Sequence, residues 1–246
     1  MIFQAGDSDE GRDFAAASAD AIFSRHSTLK DGQAFYADVK GRLARHGRTH
    51  DQLLILPAAT FILGATDAEA QQIAREVRLQ QVSGQTAIKF AEQLWNRDLS
   101  GYDPDGPLPA IDPQPGENTI ARGRASVRMY RDPAATAAEW RAKAAARNLS
   151  MRELIAEVTG RQSFVGTPAT VAETINALVQ ADASDGFILV PHITPGGLDE
   201  FADTVVPLLQ ERGVFRSDYK GSTLREHLGL DPSTPRHRLG SVTETI

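Results

Sequence analysis

The sequence contains no cysteine. That excludes disulfides, thiolate metal sites and a cysteine nucleophile. No apolar run approaches the roughly 20 residues of a membrane-spanning helix, and no basic segment followed by an apolar one marks a signal peptide. Basic blocks are missing too. Against 32 acidic residues stand 26 Lys and Arg, a formal charge of −6, which argues against a nucleic-acid or anionic-membrane partner. No His or carboxylate spacing matches a metal motif, so no metal ligands are assigned, and no nucleophile elbow occurs. What remains is 246 residues, 41% hydrophobic and 24% charged, the profile of a globular protein expected in the cytoplasm.

Strand-like runs fall at residues 2–5, 20–23, 53–63 and 185–190. Pro57 argues for a bulge or bend inside the third. Helical signals separate them. Ser8 is a good N-cap, with Phe14, Ala17 and Ala21 recurring at helical spacing behind it. Phe35, Val39 and Leu43 form one stripe, and Gly47 is placed to stop that helix. Thr66 and Glu69 form a capping box opening a helix to about Val82, and a further helix carries Phe90 and Leu94. From about 98 to 131 the periodicity breaks in a proline-rich excursion, read equally as a lid or a surface loop. Pro133, a second capping box at Ser150 and Glu153, and Thr167-Pro168 open later helices. The stretch "GGLDEFADTVVPLLQERG" reads as a last long helix ending at Gly213. Alternating strands and helices indicate an α/β protein with about four parallel strands. The length suits an eight-stranded (β/α) barrel, but four strands do not fill one.

The turn "QAGDSDEGRDFAA", residues 4–16, carries the first chemistry. A strand ending in Gly6, with Ser8 at a helix N-terminus, offers unpaired N–H groups, a hydroxyl and the positive end of a helix dipole. It reads as a phosphate cradle or as a tight serine-capped turn, and spacing leaves both open. Asp7 sets a negative charge beside it. His192 follows "DGFILVP" at the carboxyl end of a strand, the catalytic edge of a barrel, and is the candidate catalytic contact; an exposed loop histidine is the equal alternative. His26 sits similarly after the second strand. His46 and His50 flank Gly47 and are read as solvated, while His227 and His237 lie in the tail.

Six stretches in order, "QAGDSDEGRDFAA", "FYADVKGRLARHGR", "DLSGYDPDGPLP", "VGTPATVAETI", "DGFILVP" and "VVPLLQERGVFRSDYKGSTLREHLGL", resemble one family. It is the nitrilotriacetate monooxygenase component A and dibenzothiophene sulfone monooxygenase group of the bacterial-luciferase-like flavin monooxygenases. The resemblance implies a (β/α) barrel that uses reduced FMN and dioxygen to oxygenate a small organic substrate. A separate NAD(P)H-dependent flavin reductase would supply the reduced flavin. The family's FMN-phosphate turn maps onto Asp7, Ser8 and Gly11, with an acid at Asp7 where the family pattern has serine. Only the C-terminal half of the TIM barrel is matched. Residues 1–230 are therefore expected to form that half-barrel, and 231–246 a poorly ordered tail. The reading implies one part of a monooxygenase, as a truncated product, a fragment or half of a split enzyme. It would associate with itself or with a complementary N-terminal half. The alternative is an inactive remnant or a half-barrel that only binds or assembles.

Overall fold

The computed structural model describes residues 1–26, 28–116, 130, 132–160 and 163–232. The chain divides into two compact units: residues 1–70 with 162–246, and residues 71–161.

The first unit is built on parallel strands. Its main sheet has the order β1 (Phe3–Ala5), β2 (Ala21–Ser24), β3 (Leu54–Ala59) and β6 (Ile188–Leu189). A second sheet pairs β4 (Phe61–Leu63) with β5 (Phe164–Gly166), also in parallel. Helices alternate with these strands: α1 (Asp9–Ser18), α2 (Leu29–Arg42), α7 (Pro168–Gln180), α8 (Asp199–Glu211) and the short α9 (Leu224–His227). This is the α/β, parallel-sheet architecture of half a TIM barrel. In register, Ile22 sits opposite Ile55 and both face the helices, buried with Ala15, Ala16, Phe35, Val39 and Leu43. Because side chains alternate across a strand, Phe3, Phe23 and Leu56 lie on the opposite face. A separate cluster packs the ends of β3, β4 and β5 against α7 and α8 through Phe164, Val171, Phe201 and Val205.

The structure departs from the sequence reading at several strands. The run 53–63 is two strands, and the break falls at Thr60, not at Pro57, which lies inside β3 opposite Ser24. The reason is a change of partner: Ala59 pairs with Leu189, whereas Phe61 pairs with Phe164. Strand β5 is not among the four expected strands, because three residues are too few to show a period. The run 185–190 pairs in register only at Ile188 and Leu189. Asp185 ahead of it turns its carboxylate to Lys40, Tyr36 and the Ile55 N–H instead. In α1 the buried stripe is Ala15 and Ala16, with Ala19 just after the helix, while Phe14 is 53% exposed.

Most helix ends match their sequence signals. Ser150 and Glu153 form the expected reciprocal box, and Thr167 caps α7 ahead of Pro168. Gly47 ends a 3-10 turn that continues α2, at φ 65°, a conformation open to glycine. At the start of α3 (Asp67–Gln81) Thr66 accepts the Glu69 N–H, while Glu69 reaches one residue further back, to the Ala65 N–H.

The second unit is helical, with most of α3, then α4 (Gly84–Trp95), α5 (Pro133–Arg147) and α6 (Met151–Thr159). Trp95, Trp140, Leu94, Met151, Leu154 and Ile155 form its core. The described part of the 98–131 excursion is pinned to these helices. Trp95 Nε1 donates to the Ile111 carbonyl at 2.7 Å, Arg141 Nε to the Pro109 carbonyl at 2.9 Å, and the Met151 N–H to the Gly106 carbonyl at 2.8 Å. Residues 117–129 and 131 of that excursion, and 233–246 of the expected tail, lie outside the described residues. No helix among the described residues is long and apolar enough to cross a membrane.

Candidate functional site

The four strands of the main sheet run in parallel, so the turns after them open on one edge, the carboxyl edge. The turn after β1 holds Asp7, Ser8 and Gly11. Ser8 is the N-cap of α1 in extended conformation, and its Oγ accepts the Gly11 N–H at 3.1 Å. The Arg12 N–H goes to the Ser8 carbonyl. The N–H groups of Asp9 and Glu10 precede the first intrahelical bond, so they and the Ser8 hydroxyl hydrogen remain for a ligand.

The two glycines make the turn compact. A Cβ on Gly11 would lie 3.1 Å from the Gly6 carbonyl carbon, and one on Gly6 would lie 3.4 Å from Gly11 Cα. Gly11 therefore serves close backbone packing, and its N–H is already given to the cap. Of the side chains at Asp7, Ser8 and Gly11, only the Ser8 hydroxyl can donate to an anion.

Asp7 is not a bare charge. Its Oδ1 lies 3.3 Å from Arg12 Nη2, and its carbonyl accepts from Arg12 Nε at 3.2 Å. Asp9 pairs with Arg42 at 2.6 Å and Asp13 with His46 at 3.2 Å. His46, read from sequence as solvated, is half-buried and faces this carboxylate. Two of the four acids around the turn, Asp7 and Asp9, are paired with an arginine, which lowers the electrostatic cost of bringing in an anion.

Next to this turn, at the end of β2, lies His26. Its Nε2 is 3.0 Å from Ser24 Oγ, and its ring sits 4.4 Å from that of Phe35 on α2. Burial holds the His26 pKa below the ordinary 6.5; Asp7 pulls it up and Arg12 pushes it down. Arg12 lies over the same Phe35 ring at 4.8 Å. His26, Arg12 and Asp7 thus gather around one buried aromatic platform. The sequence pattern after β2 hinted at His26; Arg12 and Asp38 gave no such signal.

His192 is exposed, in the turn after β6. The strand order puts β1 and β6 on opposite sides of the four-stranded sheet, three strand spacings apart. At about 4.8 Å each, that is about 14 Å across a flat sheet. The structure does not bring His192 to the Ser8 turn. Among the described residues no group of three or more His, Asp or Glu is placed to hold a metal ion.

Known proteins resemble the chain over most of its length. The family model of luciferase-like monooxygenases matches residues 2–185. The chain is 37% identical over 238 residues to nitrilotriacetate monooxygenase component A of Aminobacter aminovorans, a match covering 94% of this chain and 48% of that protein. It is 35% identical over 241 residues to N-acetyl-S-(2-succino)cysteine monooxygenase of Bacillus subtilis, covering 96% and 51% respectively. Among solved structures, riboflavin lyase with modified FMN and riboflavin superposes with a TM-score of 0.64 at 28% identity, over 93% of this chain and 47% of that one. The chain spans about half the length of the relatives it matches. With a matched family model over most of its length, a parallel α/β half-barrel and relatives more than 30% identical, the chain belongs to the luciferase-like monooxygenase family.

Proposed function

We propose that this chain contributes the phosphate-binding wall of a flavin-dependent monooxygenase. The cofactor is reduced FMN, delivered by a separate NAD(P)H-dependent reductase, and the substrate is a small organic molecule. Reduced FMN, when bound, supplies the electrons that let dioxygen oxygenate the substrate. The one observation that supports this reading most is the Ser8 turn: a capped helix N-terminus at the carboxyl edge of a parallel sheet, with Asp7 paired to Arg12 and Asp9 to Arg42.

The residues present fit a phosphate monoester. The Ser8 hydroxyl donates one hydrogen bond, and the Asp9 and Glu10 N–H groups supply two more at the positive end of α1. Arg12, fixed on Phe35, offsets the Asp7 carboxylate beside the turn. His26 stays uncharged near neutral pH through burial, so its ring acts as a wall. His192 is left as a substrate contact from the far side of the sheet.

Within this reading the remaining wall comes from elsewhere, on the same polypeptide or another. Among the described residues β1 and β6 each have a single strand partner in the main sheet. Phe3 beside the β1 edge is 48% exposed.

The test is the discrimination between FMN and riboflavin, which differ by the phosphate. FMN should bind more tightly than riboflavin, and Ser8→Ala should reduce that preference by about tenfold or more, the worth of a charge-assisted hydrogen bond. Equal binding of the two flavins, or a preference untouched by Ser8→Ala, overturns the reading.

A further inference from the structure

Ser8 is gripped from both sides. On one side Arg12 holds Asp7, through Nε to its carbonyl at 3.2 Å and Nη2 to Oδ1 at 3.3 Å. On the other, Arg42 holds Asp9, through Nη1 to its carbonyl at 3.0 Å and Nη2 to Oδ1 at 2.6 Å. Both guanidinium groups then converge on one carboxylate of α2. Arg12 Nη1 donates to Asp38 Oδ2 at 2.9 Å, Arg42 Nε to Oδ1 at 3.0 Å, and Arg42 Nη2 to Oδ2 at 3.2 Å.

We propose that Asp38 is the positioning residue of the anion site at Ser8: by receiving Arg12 and Arg42 together, it ties the residues before and after Ser8 to α2 and keeps the cap's free donors aimed at one phosphate group. The inference rests on the reading that the Ser8 turn receives a phosphate. Three physical points support it. A turn of three exposed residues has many conformations, and holding it in the bound one before the ligand arrives removes that ordering cost from binding. Guanidinium groups are suited to the task because their planar forks bond two acceptors in fixed geometry. Both forks are stiffened, since the Arg42 side chain is only 11% exposed and Arg12 lies on the Phe35 ring.

The charge arrangement matters as well. The Asp38 carboxylate bonds to the two guanidinium groups, so its negative charge stands one guanidinium away from the ligand on either side. Replacing it with asparagine leaves a single acceptor oxygen for two guanidinium groups. The charge is lost and the amide NH2, a donor, faces a guanidinium in place of the second oxygen, so the hold of Arg12 and Arg42 on Asp7 and Asp9 loosens.

The experiment uses the full chain and inorganic phosphate as the probe. Phosphate is titrated against amide NMR shifts of Asp9 and Glu10, with chloride at matched ionic strength as reference, and amide exchange is followed over residues 7–12. Asp38→Asn should weaken phosphate about fivefold or more and speed exchange across the turn, while exchange in β2 and β3 stays as in the parent chain. Asp38→Glu, which restores two acceptor oxygens, should recover most of both effects. Exchange over 7–12 that is unchanged in Asp38→Asn overturns the proposal, as does loss of protection in β2 and β3 alongside it, the sign of general destabilisation. A parent chain that shows no phosphate-dependent shift at Asp9 and Glu10 defeats the phosphate reading instead. The exchange comparison then decides by itself whether Asp38 orders the turn.

Discussion

His26 is where burial and charge oppose each other most directly. Burial is the larger influence and holds its pKa below 6.5, against the pull of Asp7. As pH falls through 6.5 the unfolded chain takes up this proton before the folded one does. The contribution of neutral His26 to stability is therefore complete above 6.5 and is lost on acidification toward its folded value. Denaturant midpoints measured from pH 7.5 to 5 should fall more steeply for the parent chain than for His26→Gln, and parallel slopes would refute this. Asp7 gives the second prediction at this scale. Asp7→Ser removes a carboxylate 3.3 Å from Arg12, whose guanidinium stays anchored by Asp38 and the residue 7 carbonyl. Phosphate affinity at the turn should rise by a few-fold, about 0.5–1 kcal/mol for an exposed charge. A weaker or unchanged affinity in the same NMR titration would mean that Asp7 is not near the anion.

At the level of elements, two buried cations tie helices to strands. Arg48, in the loop before β3, is 8% exposed. It donates to the carbonyls of Ala15, Ala16 and Ala19 at 3.3, 2.8 and 2.6 Å, closing the carboxyl end of α1, and also to Gln52. A cation there also meets the negative end of the helix dipole. Lys40, on α2, reaches Asp185 at 2.9 Å and the carbonyls of His50 and Leu53 at 2.8 and 2.6 Å. Asp185 in turn holds the Tyr36 hydroxyl, and burial together with that carboxylate keeps the phenol protonated, its pKa pushed up. Lys40→Met should cost about 3–5 kcal/mol, because it leaves the Asp185 carboxylate without its cation and takes a donor from two carbonyls, and a urea titration reads it directly. A loss under about 1 kcal/mol would show that water takes over these partners.

Much of this was legible in the sequence, and the exceptions have causes. Caps such as Ser8, Ser150 and Thr167 are local signals, because the residues that make the bonds are three apart. The strands at β1, β2 and β3 show as apolar runs. Arg48 and the Asp7–Arg12–Asp38–Arg42–Asp9 chain were silent, since their partners lie up to 33 residues away and nothing in a window of sequence marks them. Phe14 misled for a different reason: α1 packs so closely on α2 and β2 that only alanine fits its buried face, and the large side chain is left outside.

For the whole molecule the decisive feature is the pair of sheet sides that have no further strand partner among the described residues. The main sheet runs β1-β2-β3-β6, with Phe3 half-exposed next to one side and Val190 and Ile193 exposed beyond the other. Unpaired strand edges and apolar surface favour association, so the isolated chain should behave as an assembly in sedimentation, and charged substitutions at Ile2 and Phe3 should shift it toward monomer. The same geometry bears on activity. Coupled oxygenation requires the reduced ring to be shielded from water while it meets the substrate, and one wall of four strands leaves the opposite side of such a ring uncovered. Given FMN, a flavin reductase, NADH and oxygen, the reductase should oxidise NADH and the reduced flavin should pass its electrons to oxygen as hydrogen peroxide, with no oxygenated product while this chain is the only other component. Supplying the first half of a relative by co-expression should restore coupling, read as oxygen incorporated per NADH. Ser8→Ala in that reconstituted enzyme should raise the FMN requirement without changing the product. Coupled turnover by the isolated monomeric chain would refute the half-barrel reading, because it would place every contact the reaction needs on the strands described here.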